Sequence, residues 1–203
     1  MLTALPRILV VCTGNVCRSP YMERTLQRIV DDAWGAGAVE VHSAGTGALV
    51  GAPIDPGSET LLREKGVDTA GFVARQIAKE HASGSQLVLT ATRAHRGPVA
   101  SLHPRALRYT FAVGDFVHLA AAIPDAEMPT TDDAGEWLSQ VTQLVAQRRG
   151  LVAPPQASDV DVVDPYRRGP AVFAQMDREL EALRPGLARA LGERRAARRG
   201  HES

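Results

Sequence analysis

Apolar positions along this chain follow two rhythms. Arg7 to Val11 (RILVV) is an unbroken apolar run behind one arginine, the pattern of a short strand covered on both faces. It stops at Cys12-Thr13-Gly14-Asn15-Val16, where glycine and asparagine tolerate a left-handed backbone. Ser19 and Pro20 then supply N-cap and first-turn chemistry. Met22, Leu26, Ile29, Val30 and Ala33 follow at helical spacing, with Glu23, Arg24, Gln27 and Asp31 on the polar side, and Gly35 and Gly37 close the unit. The same reading predicts a strand over Val39 to His42 and a flexible loop over Ser43 to Gly47. A helix capped by Asp55 or Ser58 then runs through Leu61 and Leu62 to Gly66. Gln86 to Thr90 reads as a third strand, followed by a helix over 92–102 disturbed at Gly97-Pro98. Arg108 to Val113 reads as a fourth strand, followed by helices over 115–122 and 132–148. The second of these carries Trp137, Leu138, Val141, Leu144 and Val145 on one face. Ala153 to Asp164 reads as loop. A long helix from Pro170 turns Val172, Phe173, Met176, Leu180, Leu183 and Leu187 inward, with a break expected at Pro185.

Short apolar strands alternating with helices predict an α/β domain with a parallel sheet covered on both faces. In such sheets ligands collect beyond the carboxyl ends of the strands, where Cys12 to Ser19 sits. No repeat or linker divides residues 1–192, which read as one domain. Residues 193–203 (ERRAARRGHES) lack apolar periodicity and read as a basic, disordered tail, with Arg194, Arg195, Arg198 and Arg199 solvated.

Composition narrows the function. Of 203 residues 44% are hydrophobic, enough for a core, and 23 basic residues balance 23 acidic ones. That balance predicts neither a nucleic-acid nor a membrane partner, and the absence of a long apolar run near the start points to a cytoplasmic protein. Aromatic residues, at 4%, are scarce, which weakens a reading based on base stacking or carbohydrate platforms. The histidines at 42, 81, 95, 103, 118 and 201 form no metal-ligand spacing and receive no role. No nucleotide-binding glycine pattern occurs, so no cofactor is implied.

Cys12 and Cys17 are the two cysteines, too few and too close for a disulfide scaffold or a structural zinc site. Between a buried strand and a helix, a loop of this length can turn successive backbone N–H groups toward one point. Such a nest attracts a tetrahedral dianion. Arg18 adds a planar fork for two phosphate oxygens. Cys12 enters the same field from the strand end, where N–H dipoles, Arg18 and the Ser19 hydroxyl favour its thiolate. A thiolate behind a held phosphorus is aligned for in-line attack.

Val11-Cys12-Thr13-Gly14-Asn15-Val16-Cys17-Arg18-Ser19-Pro20 resembles the signature of low-molecular-weight protein tyrosine phosphatases. The likeness continues at Ser43-Ala44-Gly45-Thr46, at Ala74-Arg75-Gln76-Ile77 and at Asp164-Pro165-Tyr166. It implies a flavodoxin-like sheet of four strands in the order 2-1-3-4. It also implies phosphate-ester hydrolysis through a cysteinyl-phosphate, on a phosphorylated protein or a small phosphate ester. Carried over by residue, Cys12 is the nucleophile. Thr13, Gly14, Asn15, Val16, Cys17, Arg18 and Ser19 hold the phosphoryl group. Ser19 stabilises the departing thiolate, Asn15 with Ser43 supports the loop, and Asp164 is the general acid. Pro165 biases Asp164 toward an extended backbone that can project its carboxylate, with Asp159 and Asp161 as rivals in the same loop.

The chain departs from the family's phosphotyrosine-specific members at the rim. Tyr166 supplies one aromatic wall but is followed by Arg167 and Arg168, and Ala44 to Gly57 contains no aromatic residue. The two arginines suggest substrates with acidic surroundings. The segment from Pro124 to Pro155 is longer than compact members need and reads as a lid or an extra packed helix. Arsenate reductases share the fold; no cysteine follows Cys17, which removes the thioredoxin-coupled mechanism and leaves only an external thiol. Cys17 is either a packed apolar residue or a reversible disulfide partner of Cys12.

Overall fold

The computed structural model describes residues 5–193; of the basic tail expected over 193–203, residues 194–203 lie outside them. Four strands form one parallel sheet in the order β2-β1-β3-β4, comprising β1 (Arg7–Cys12), β2 (Glu40–Gly45), β3 (Leu87–Thr90) and β4 (Thr110–Ala112). Eight helices accompany it among the described residues: α1 (Arg18–Trp34), α2 (Pro56–Glu64), α3 (Lys79–Ser83), α4 (Arg96–Leu102), α5 (Val113–Ala121), α6 (Ala134–Gln147), α7 (Ala157–Val160) and α8 (Pro170–Ala190).

Alternate residues of the central strand explain both layers. Ile8 and Val10 face the larger core, with Leu87, Leu89 and the inner sides of α1, α5, α6 and α8. Leu9 and Val11 face a smaller core with Val88, Val99 and Ala106. All four β1 residues are fully buried, each contributing about 1.5–3 kcal/mol relative to exposure. The strand order reverses between β1 and β3, which places the loop after β1 at the topological switch point where α/β sheets bind ligands.

Several local expectations are corrected. Ser19 is not a cap: α1 begins at Arg18, its N-cap is Cys17, and no side chain caps it. Ser43, Ala44 and Gly45 are strand, not loop, because β2 pairs with β1 as far as Cys12↔Gly45. Glu23 is buried rather than on the polar face. Arg108 lies in a 3₁₀ turn ahead of β4. Gly97 and Pro98 do not disturb α4, since both lie in its first turn, where a missing N–H costs no helical bond. Short α7 interrupts the loop expected over 153–164. The break expected at Pro185 does not occur: α8 runs through it, held on both sides by buried Leu180 and Leu187. The 124–155 segment is a packed helix, for Trp137, Leu138, Val141 and Val145 of α6 all enter the main core.

Candidate active site

The backbone of the loop after β1 has its carbonyls tied outward. Cys12 O accepts from Thr46 N at 2.9 Å, Thr13 O from Gly47 N at 3.0 Å and Gly14 O from Leu49 N at 3.0 Å. Val16 O accepts from Asp55 N at 2.8 Å and Cys17 O from Tyr21 N at 3.2 Å. Every peptide bond in the described residues is trans. In a trans peptide the next N–H points opposite to the carbonyl, so the N–H groups of Thr13, Gly14, Asn15, Cys17 and Arg18 turn away from these partners toward the loop's own centre. That makes an amide nest continuous with the start of α1.

Asn15 makes this turn possible. It sits at φ +54°, the left-handed region that asparagine tolerates better than most residues. Its amide is fully buried and fully used: Oδ1 accepts from Arg75 N at 2.8 Å, while Nδ2 donates to Ser19 Oγ at 2.9 Å and Ser43 Oγ at 2.8 Å. Ser43 Oγ donates onward to Glu23 Oε2 at 2.5 Å, and Arg75 Nε donates to Ser43 O at 2.9 Å. Each hydroxyl has one hydrogen. Ser19 spends an acceptor site on Asn15, which leaves its hydrogen for Cys12 Sγ, 3.0 Å away. Burial pushes the Glu23 carboxyl above the usual range, and the Ser43 hydrogen bond with nearby Arg24 and Arg75 pulls it back.

Cys12 and Cys17 are both buried free thiols. Burial, with Asp55 and Cys12 nearby, pushes the Cys17 thiol well above the ordinary range, so it stays protonated at neutral pH.

Arg18, buried at 5% exposure, spans the loop and the late segment. Its Nη2 donates to Asp164 Oδ2 at 2.8 Å and its Nη1 to Val162 O at 3.3 Å. Asp164 Oδ1 accepts from Tyr166 N at 3.2 Å. The segment is pinned upstream, where Val162 N donates to Ala91 O at 2.9 Å and Asp161 Oδ1 accepts from Arg93 N at 2.7 Å. Of the three aspartates, Asp164 is therefore the one brought to Arg18; Asp161 is a tether, and Asp159 sits exposed on α7. At the rim, Arg167 is at φ +56° with its guanidinium 5.2 Å from the Tyr166 ring centroid. Leu49 and Val50 are exposed, at 42% and 70%.

Sequence reasoning missed Glu23, Arg75 and His95. His95 Nε2 lies 2.9 Å from Thr13 Oγ1 and its Nδ1 2.7 Å from Thr92 Oγ1. Burial and the Arg18 charge hold its imidazole down at about 4, so it bridges the two hydroxyls as a neutral ring. Arg75 lies within a quoted motif, which was the available signal. Glu23 and His95 carried none.

A parallel α/β sheet with a cysteine, an arginine and an inward amide nest at its switch point has the build of a phosphate-handling domain. Comparison with known proteins specifies it further. The family model for low molecular weight phosphotyrosine protein phosphatase matches residues 7–153, and the chain belongs to that family. It is 33% identical over 125 residues to the low molecular weight protein-tyrosine-phosphatase Etp of Escherichia coli K12, covering 62% of this chain and 80% of that one. It is 36% identical over 111 residues to the protein-arginine-phosphatase of Geobacillus stearothermophilus, covering 55% of this chain and 71% of that one. The solved low molecular weight protein tyrosine phosphatase of T. tengcongensis superposes with TM-score 0.63 at 26% identity, covering 90% of this chain and 97% of that one. The family match stops short of Asp164. Such matches do not favour the arsenate-reductase alternative.

Proposed function

We propose that the protein hydrolyses aryl phosphate monoesters, phosphotyrosine in proteins foremost, through a cysteinyl-phosphate formed on Cys12. The observation that carries this reading is the Cys12 thiol 3.0 Å from the Ser19 hydroxyl, beneath inward-facing amides, with Arg18 linking the loop to Asp164 at 2.8 Å. Amides of the loop and the Arg18 fork hold the three phosphoryl oxygens and follow their charge through the transition state. Cys12 Sγ attacks phosphorus as the P–O ester bond breaks, and Asp164 gives its proton to the leaving oxygen. Water then attacks the cysteinyl-phosphate, and Asp164 takes a proton from it. The S–P bond breaks, phosphate leaves, and the Ser19 hydroxyl donates to the departing thiolate.

Among the protein's relatives one is named a protein-tyrosine-phosphatase and another a protein-arginine-phosphatase. Exposed Tyr166, two residues past Asp164, supports the aryl substrate, since a ring can stack on it. The decisive experiment compares wild type with Cys12→Ser on p-nitrophenyl phosphate, with a phosphotyrosine peptide and a phosphoarginine peptide run in parallel. Turnover of the aryl ester and the phosphotyrosine peptide, abolished in Cys12→Ser, is the expected result. Turnover of the phosphoarginine peptide alone would replace the substrate assignment, and an inactive wild type would end the reading.

A further inference from the structure

A cavity of about 400 Å³ opens between α5, the start of α4 and the segment 149–155 that follows α6. It is separate from the phosphate-binding loop, and none of Cys12 to Ser19 lines it. Its apolar lining includes Phe111, Leu119 and Leu151. Three arginines, Arg93, Arg96 and Arg149, also line it.

Their charges are not equally balanced. Arg93 is satisfied by a two-pronged pair with Asp115, at 2.8 and 2.6 Å, and by Pro155 O at 3.0 Å. Arg149 has no carboxylate partner among the described residues. Its Nη1 donates to Leu107 O at 2.7 Å and its Nη2 to Thr110 O at 2.6 Å, and its guanidinium carbon lies 3.9 Å from the Phe111 ring centroid. Burial and the charge of Arg96 pull Arg149 down to about 10. Arg96 likewise lacks a carboxylate among the described residues, and its Nε is buried without any hydrogen-bond partner. His118, also on the wall, lies with Nε2 3.0 Å from Ala153 O. Asp115 cancels Arg93, so two positive charges remain beside an apolar wall.

Two like charges held together, with Arg96 Nε left without a partner, are costly unless an anion joins them. The volume falls within the range of pockets that enclose small molecules, which pair apolar lining with a few placed polar groups. We propose that this cavity binds a small organic dianion, two carboxylates or one phosphate carried on an apolar body, at a place distinct from the catalytic loop. The acidic groups meet Arg96 and Arg149, and the body lies against Leu119 and Leu151.

Isothermal titration of the full chain with isophthalate and, separately, phenylphosphonate tests this. Three variants accompany wild type: Arg96→Met, Leu151→Glu and Arg18→Met. Leu151 is 75% exposed, so the glutamate adds a repelling charge at the mouth without entering the core. One equivalent beyond any held by the catalytic loop should bind, at least tenfold more weakly in Arg96→Met and Leu151→Glu, with its affinity kept in Arg18→Met. Isophthalate alone would assign a dicarboxylate ligand, and a second phenylphosphonate site surviving Arg18→Met would assign a phosphate. Binding of neither probe at millimolar concentration overturns the proposal. So does binding that Arg18→Met removes while Arg96→Met and Leu151→Glu leave it intact. Failure of the hydrolase reading would show separately, as a wild type that turns over no phosphate ester while this binding stays unchanged.

Discussion

At the scale of single residues, Asn15 and Asp164 make the sharpest predictions. Asn15 satisfies three partners, the buried Ser19 and Ser43 hydroxyls and the part-buried Arg75 N–H, from one amide. Asn15→Ala strands them, and each buried group left unpaired costs about 1–3 kcal/mol. Urea unfolding should show a loss of that order or more, with the rate of aryl phosphate hydrolysis falling as Ser19 loses its orientation. For Asp164→Asn, burst formation with p-nitrophenyl phosphate should slow by about 10²–10⁴-fold, the range for general acid catalysis. Asp161→Asn should stay near wild type, because the amide oxygen still accepts from Arg93 N. Equal slowing in both would remove Asp164 from the chemistry. Cys12, Arg18 and Ser19 were legible in the sequence because they sit within eight residues of one another in one loop. Glu23 was not, since on a helical wheel it reads as solvent-facing; only the approach of Ser43 from β2 gives a buried carboxylate its partner.

At the scale of elements, the additional helix is a buttress. Trp137 of α6 donates from Nε1 to Ala190 O at 2.9 Å, and Trp34 of α1 donates to Leu191 O at 2.7 Å. The two indoles meet edge to face, 5.6 Å between centroids, over the end of α8. That end must turn at Gly192, whose φ of +107° and 2.8 Å approach to the Trp34 ring exclude a β-carbon. Trp137→Ala should therefore destabilise the fold by about 3–5 kcal/mol, with kcat on aryl phosphate unchanged below the new melting temperature. Trp137→Phe should cost less, since it mainly forfeits the Ala190 hydrogen bond. The apolar spacing of α6 was readable in advance. Whether it formed a lid or a packed helix depended on α8 and α1 presenting carbonyls and a ring to it.

Across the whole molecule, two buried imidazoles couple stability to pH. Burial holds His42 at about 4, and burial with Arg18 holds His95 at about 4, against 6.5 for the free ring. Between those values the unfolded chain binds these protons and the folded chain does not. Stability from this source is thus complete above about pH 6.5 and is lost as pH falls toward 4. Glu23, raised by burial, contributes in the opposite direction, so the measurement is a difference. Urea midpoints for wild type and His42→Leu, taken from pH 7 to 4.5, should show the variant losing stability less steeply, by about one proton's slope. Parallel slopes would mean that His42 titrates as an exposed ring.

The sequence by itself determined the alternation of strands and helices, the strand-loop-helix that presents Cys12, and the arginine that follows it. These depend on contacts within a few residues, where hydrophobic period and turn chemistry act alone. Only the tertiary structure decided that Ser43 belongs to a strand, that α8 survives Pro185, that Glu23 and His95 support the loop, and that Arg96 and Arg149 share a cavity. Each of these joins groups that are far apart in the chain, and local propensity yields there to packing and to the need of buried polar atoms for partners.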